Sequence, residues 1–124
     1  MHETTLAPTE ITLVVPALPQ MVSVVRTSAA SLAAEVDFTL DDIDNVRIAV
    51  NEMVSILVES EPIDGRITVV IGLNSIEEFT MTASVLGSKY EPVLDPLSRQ
   101  IVAAVTAEFT VERDTCRLRV VREV

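Results

Sequence analysis

The sequence predicts an α+β fold: a two-layer sandwich with a mostly antiparallel, mixed sheet and three helices on one face. Two observations carry that prediction. Apolar residues recur at three- and four-residue steps in some segments and alternate strictly in others, the signatures of half-buried helices and strands. The segments follow the order strand, helix, helix, two strands, helix, two strands, which groups strands into hairpins and helices into a layer. A chain of 124 residues buries a core without metal or disulfide support. A single domain is therefore expected over 11–124, after a flexible polar lead at 1–10.

Ile11–Val15 is a β-branched run stopped by Pro16, which reads as a strand. The first helix follows, with Pro19 in its first turn, where a missing N–H costs nothing. Met21, Val24/Val25, Ser28/Ala29, Leu32 and Val36 are its expected inner stripe, and the small Ser28, Ala29, Ala30 and Ala33 permit close approach of a neighbour. Arg26 is its only base and is read as solvated or ion-paired. After a short connection comes the helix around which the chain is organised, Asp41 to Ser60. Ile43, Val46, Ala49/Val50, Met53 and Leu57 form its stripe, Asp41 or Asp42 can cap it, and Pro62 and Gly65 close it. The short connection makes the two helices antiparallel neighbours.

Arg66–Leu73 and Glu77–Val85 alternate apolar and polar residues on either side of Asn74–Ser75, the pattern of a hairpin with one face against the helices. Leu86–Asp95 is a loop. Asp95 as cap and Pro96 at the first position then open a third helix, with Leu97, Ile101 and Ala104/Val105 as its stripe. A second hairpin turns at Arg113–Asp114. Phe109, Val111, Cys116, Leu118 and Val120 are expected to face the core, with Arg117, Arg119 and Arg122 on the far side.

A net charge of −10 argues against nucleic acid and anionic membrane, both of which demand phosphate neutralisation by Lys and Arg. It suits a basic protein partner, or serves solubility alone. The start has neither the basic nor the apolar region of a secretion signal, and no run approaches the ~18 apolar residues of a membrane span. A cytoplasmic protein is expected. The single cysteine, Cys116, reads as a core residue, and the lone His2 has no companion ligand, so no metal site is expected.

On the central helix, Glu52 and Ile56 stand four residues apart and so one above the other. With the element order, the segment DDIDNVRIAVNEMVSILVES makes the chain resemble the anti-sigma regulatory factors of bacterial partner-switching systems. These are small protein-serine kinases with the ATPase fold of gyrase and the histidine kinases. The resemblance covers nearly the whole chain, and MTAS and LSRQIVAAVTAEFTV are similar to actinobacterial anti-sigma factors of the sigma-F type. It implies a glutamate base at Glu52 and, four residues on, an asparagine that holds Mg²⁺. Ile56 stands there instead, and hydrocarbon cannot ligate a hard cation. The family's DxGxG motif, which reads adenine, falls on Ala83, Val85 and Gly87. Its glycine-rich phosphate turn falls on DPLSRQIV, where Pro96 and Ser98 replace glycines.

The resemblance therefore implies a regulator that sequesters an alternative sigma factor and is released by a STAS-type antagonist, working as a homodimer. No cofactor is expected, ATP and Mg²⁺ being required only if the altered site still works. In that case Glu52, Gly87 and Ser98 would bind nucleotide and Glu52 would be catalytic. The alternatives are an active serine-protein kinase acting on such an antagonist, and an interaction module for another regulator. Read without the resemblance, Glu52 is a polar residue on a helix flank, and Ser98 with Arg99 is at most a weak phosphate site at a helix start.

Overall fold

The computed structural model describes residues 9–36, 38–60, 65–75, 77–85 and 92–122. Its elements are β1 (Thr9–Pro16), α1 (Pro19–Ala34), α2 (Leu40–Ser60), β2 (Arg66–Ser75), β3 (Glu78–Ser84), α3 (Pro96–Val105), β4 (Glu108–Val111) and β5 (Thr115–Val121). The fold is α+β, with a five-stranded sheet in the order β1-β2-β3-β5-β4. Every pairing among the described residues is antiparallel. Among those residues no helix is long and apolar enough to cross a membrane.

The alternation read from the sequence sets the sheet's two faces. Ile67, Val69, Ile71, Phe79, Met81, Ala83, Cys116, Leu118 and Val120 are buried on the helix side, with Thr68, Val70, Thr80, Thr82 and Ser84 between them only partly covered. Phe109 and Val111 pack against this core from the edge. On the other face Arg119 lies between Glu78 (3.2 Å) and Glu108 (3.5 Å), and Arg117 meets Glu112 at 3.5 Å. Arg122 lies beyond the end of β5 and pairs with Glu77 at 3.2 Å.

Several boundaries differ from the sequence reading. β1 begins at Thr9, because Thr9 and Glu10 continue the ladder opposite Leu73 and Gly72. β2 runs on through Asn74 and Ser75, since a register shift after Leu73 restores pairing at Ser75↔Glu78, and Asn74 Nδ2 donates to Glu78 Oε1 at 2.8 Å. α2 is capped by neither Asp41 nor Asp42. Thr39 precedes it, and the Asp42 N–H donates to Thr39 Oγ1 (3.1 Å) while the Thr39 N–H donates to an Asp42 carboxylate oxygen (2.9 Å). Two orphan amides are thus satisfied reciprocally, with aspartate as the third helical residue. Pro62 lies outside the described residues.

Two stripes are rotated. On α1 the buried residues are Val22, Val25, Ala29, Ala30, Leu32 and Ala33, while Val24 is exposed and Ser28 Oγ turns back to its own helix at Val24 O (2.9 Å). The rotation sets the fully buried Ala29 and Ala33 inward, and side chains that small allow the closest helix approach. On α3 the buried residue is Val102, and Leu97 is exposed, because this ten-residue helix lies at the margin of its layer, against α2 and β4. α2 holds the layers together: it packs on α1, α3, β3 and β5, with Val46, Ala49, Val50, Met53 and Val54 all at 0% exposure.

Cys116 is buried in this core, and burial pushes its thiol from 9.0 up to about 12. The folded state holds the thiol neutral while the unfolded chain ionises it, so its contribution is intact below pH 9.0 and is lost as pH rises towards about 12. Urea titrations across that alkaline range should show a fall in stability whose slope is reduced in Cys116→Ala, and the native thiol should resist thiol reagents at pH 8 until the chain unfolds.

Candidate functional site

With its other sides packed, α2 has one strip free for chemistry. Asn51, Glu52 and Ser55 are half-buried on that strip and line two adjoining grooves. The first, of about 450 Å³, runs towards α3 and is lined by Arg26, Arg47, Ile48, Asn51, Glu52 and Ile101. The second, of about 380 Å³, lies between α1 and α2, with Ser23, Ser55, Val58 and Glu59 beside Arg26 and Asn51.

Arg26 belongs to both grooves. Its Nη1 donates to Asn51 Oδ1 at 2.7 Å, across the α1–α2 contact, and Asn51 Nδ2 reaches Glu52 Oε2 at 3.5 Å. The only bonded partner of this guanidinium among the described residues is a neutral amide. An arginine offers five N–H donors in a planar fork, so Arg26 is half-buried, oriented and still rich in donors. Arg47 is different: exposed, and paired with Asp44 at 3.1 Å one turn away.

Of the described nucleotide positions inferred from the resemblance, Glu52 alone lines these two grooves. Glu52 faces the first groove, but Ile56 is only 8% exposed and belongs to the core. Ala83 is in the inner row of β3 opposite Val69 and Cys116. Val85 is buried, and its N–H already donates to Asp114 O at 2.9 Å. Gly87 lies outside the described residues. At the start of α3 the Ser98 N–H donates to Asp95 Oδ1 at 2.8 Å, as the cap read from the sequence requires. Pro96 there has no N–H to offer. The helix start thus carries its own carboxylate where a phosphate would need free donors. Arg99 lies 5.5 Å from the centroid of Phe109, a cation–π contact directed towards β4. Among the described residues no cluster of three or more His, Cys, Asp or Glu could hold a metal ion.

Sequence reasoning missed Arg26 and Asn51 as partners. The available signal was that Arg26 is the single base of α1; its partner, 25 residues away, follows only from the antiparallel docking of α1 on α2.

This helix layer on an antiparallel sheet is a known arrangement. No family model matches the chain, and no curated protein matches it in sequence. In structure it is similar to the RsbU and RsbW domains of Rv1364c from Mycobacterium tuberculosis, with a TM-score of 0.65 and 18% identity. The match covers 95% of this chain and 32% of that one, so the chain spans about a third of that longer protein's length. The likeness establishes a shared fold.

The Arg26–Asn51 bond ties α1 to α2 at the rim of both grooves. A double-mutant cycle with Arg26→Met and Asn51→Ala should give a coupling of about 1 kcal/mol in urea denaturation, the size of a part-exposed hydrogen bond to a charged group.

Proposed function

We propose that the protein is an anti-sigma-type regulator of a partner-switching system that acts in the cytoplasm by binding. It occludes an alternative sigma factor, yields it to a STAS-type antagonist and works as a homodimer. The observation that carries this reading is the contrast between scaffold and pocket. The fold is shared along nearly the whole chain with a structure that contains an RsbW domain. Yet the positions that would serve Mg²⁺ and ATP hold a core isoleucine, a core alanine and a self-capped helix start. Sequestration needs only a complementary surface, whereas phosphoryl transfer needs metal, adenine and phosphate contacts together.

The residues present do not fit ATP–Mg²⁺. Ile56 has no oxygen for a hard cation, Ala83 has no acceptor for an adenine amino group, and Asp95 places negative charge where phosphate would lie. The surface that remains is the Arg26 groove, where a guanidinium with spare donors stands beside the exposed Ile48 and the half-buried Ile101. An anionic side chain flanked by an apolar one, presented by the sigma factor, would suit it.

One observation favours the kinase reading: Glu52 is present and faces a groove. Calorimetric titration with ATP and Mg²⁺ decides between them. No heat and no thermal shift at millimolar nucleotide are expected. Saturable, metal-dependent binding, with phosphate transfer to an antagonist that Glu52→Gln abolishes, would establish the kinase instead.

The partner is tested separately. Capture from the native extract should recover a sigma subunit, and Arg26→Glu should weaken that capture at least roughly tenfold, about 1.4 kcal/mol, with the fold intact by circular dichroism. Recovery of a different regulator in place of any sigma subunit would identify an interaction module of another kind.

A further inference from the structure

The groove between α1 and α2 is graded along its length from positive to negative. The two helices run antiparallel, so Ser23, one turn before Arg26, and Ser55, one turn after Asn51, stand on the same side of the Arg26–Asn51 bond. One turn further, Val58 and Glu59 close the far end beside Pro19. The groove, of about 380 Å³, therefore passes from a guanidinium, along two hydroxyls, to a carboxylate. The buried Val22 and Val58 supply its apolar floor. Its size is that of a cleft for a small molecule, roughly 300–1,000 Å³.

The polar groups along the groove are not consumed by the fold. Nη1 of Arg26 is taken by Asn51 at 2.7 Å, which leaves the edge of Nε and Nη2, with two parallel N–H donors, unbonded among the described residues. Ser28 and Thr106 turn their hydroxyls back to the carbonyl four residues earlier, at 2.9 and 2.8 Å, a common habit of helical hydroxyls. Ser55 makes no such bond among the described residues, though it is half-buried within α2, and Ser23 makes none either. Glu59 is exposed and has no ion pair among the described residues.

We propose that this groove binds a short peptide with free ends, about three residues long, its carboxylate on Arg26 and its ammonium at Glu59. The site is separate from the first groove and holds whichever partner that groove takes. Spacing sets the length. Glu59 lies eight residues beyond Asn51, about 12 Å along α2 at ~1.5 Å per residue, and three extended residues span about 10 Å. Charge sets the ends. The free edge of the guanidinium meets a carboxylate in bidentate fashion, one charge against one. A phosphate dianion would face a single cation, with Glu52 beside Asn51, in a chain of net charge −10. The two hydroxyls lie between the ends, where the peptide groups would pass, and each can donate to a carbonyl or accept from an N–H. The valine floor favours small apolar side chains on the guest.

The test is a chemical-shift titration of the whole chain with trialanine. Binding should saturate at millimolar peptide and move the resonances of Ser23, Ser55 and Val58. Amidating the carboxyl should weaken it roughly tenfold. Acetylating the amine should weaken it about threefold, since a pair with the exposed Glu59 is weak. The ω-amino acid aminooctanoate has both charges at a similar spacing but no peptide group, and should bind roughly tenfold more weakly. Glu59→Gln should erase the difference between trialanine and its acetyl form, and Arg26→Met the difference between trialanine and its amide, with circular dichroism confirming each fold. Absence of saturable binding would overturn the assignment. So would an end-blocked trialanine or aminooctanoate that binds as well as the free peptide, or end preferences that survive both substitutions. None of these outcomes bears on capture of a sigma subunit, which tests the first groove.

Discussion

The packing of α2 is the constraint on which the rest of the molecule depends. This helix is the contact surface for α1, α3 and two strands at once, so most of its turns are committed to the core. The α2 side chains that line the two grooves, from Arg47 and Ile48 through Asn51, Glu52 and Ser55 to Val58 and Glu59, lie along one flank. Ile56 lies off that flank, in the core, so the residue type there is a structural matter as well as a chemical one. An oxygen-bearing side chain there would stand at the boundary of the core and would need a partner. Isoleucine needs none and adds aliphatic burial.

The same logic runs through Ala83, Val85 and Asp95. Ala83 and Val85 are as buried as the residues around them, at 0% and 2% exposure, and Asp95 satisfies the amide that it faces. Each of these side chains contributes to the packing or the capping around it.

The strands and their faces were legible because alternation with period two is a local property, visible in any run such as Phe79–Val85. Helix faces were less so. α1 carries apolar residues around more than half of its circumference, and only the docked neighbour decides that Val22 goes in and Val24 stays out. The turn at Asn74–Ser75 was misplaced because a bulge, which costs one unpaired residue, extends the ladder beyond the alternating run. Asp42 was recognised as a helix-start residue, but its reciprocal bonding with Thr39 was hidden behind the simpler reading of aspartate as cap. At the candidate site Glu52 was legible as a flank residue from spacing alone. Arg26 was not, because its surroundings are built by two elements whose docking no local pattern encodes.

One guanidinium serves two grooves, and that sharing has a thermodynamic consequence. A guest that draws Arg26 towards α3 takes donors away from the cleft between α1 and α2, and a guest in that cleft does the reverse. Guests that competed for the same donors would be antagonistic, and reciprocity would then require each to weaken the other by the same factor. Asn51, whose carbonyl holds the guanidinium at 2.7 Å, is the fulcrum.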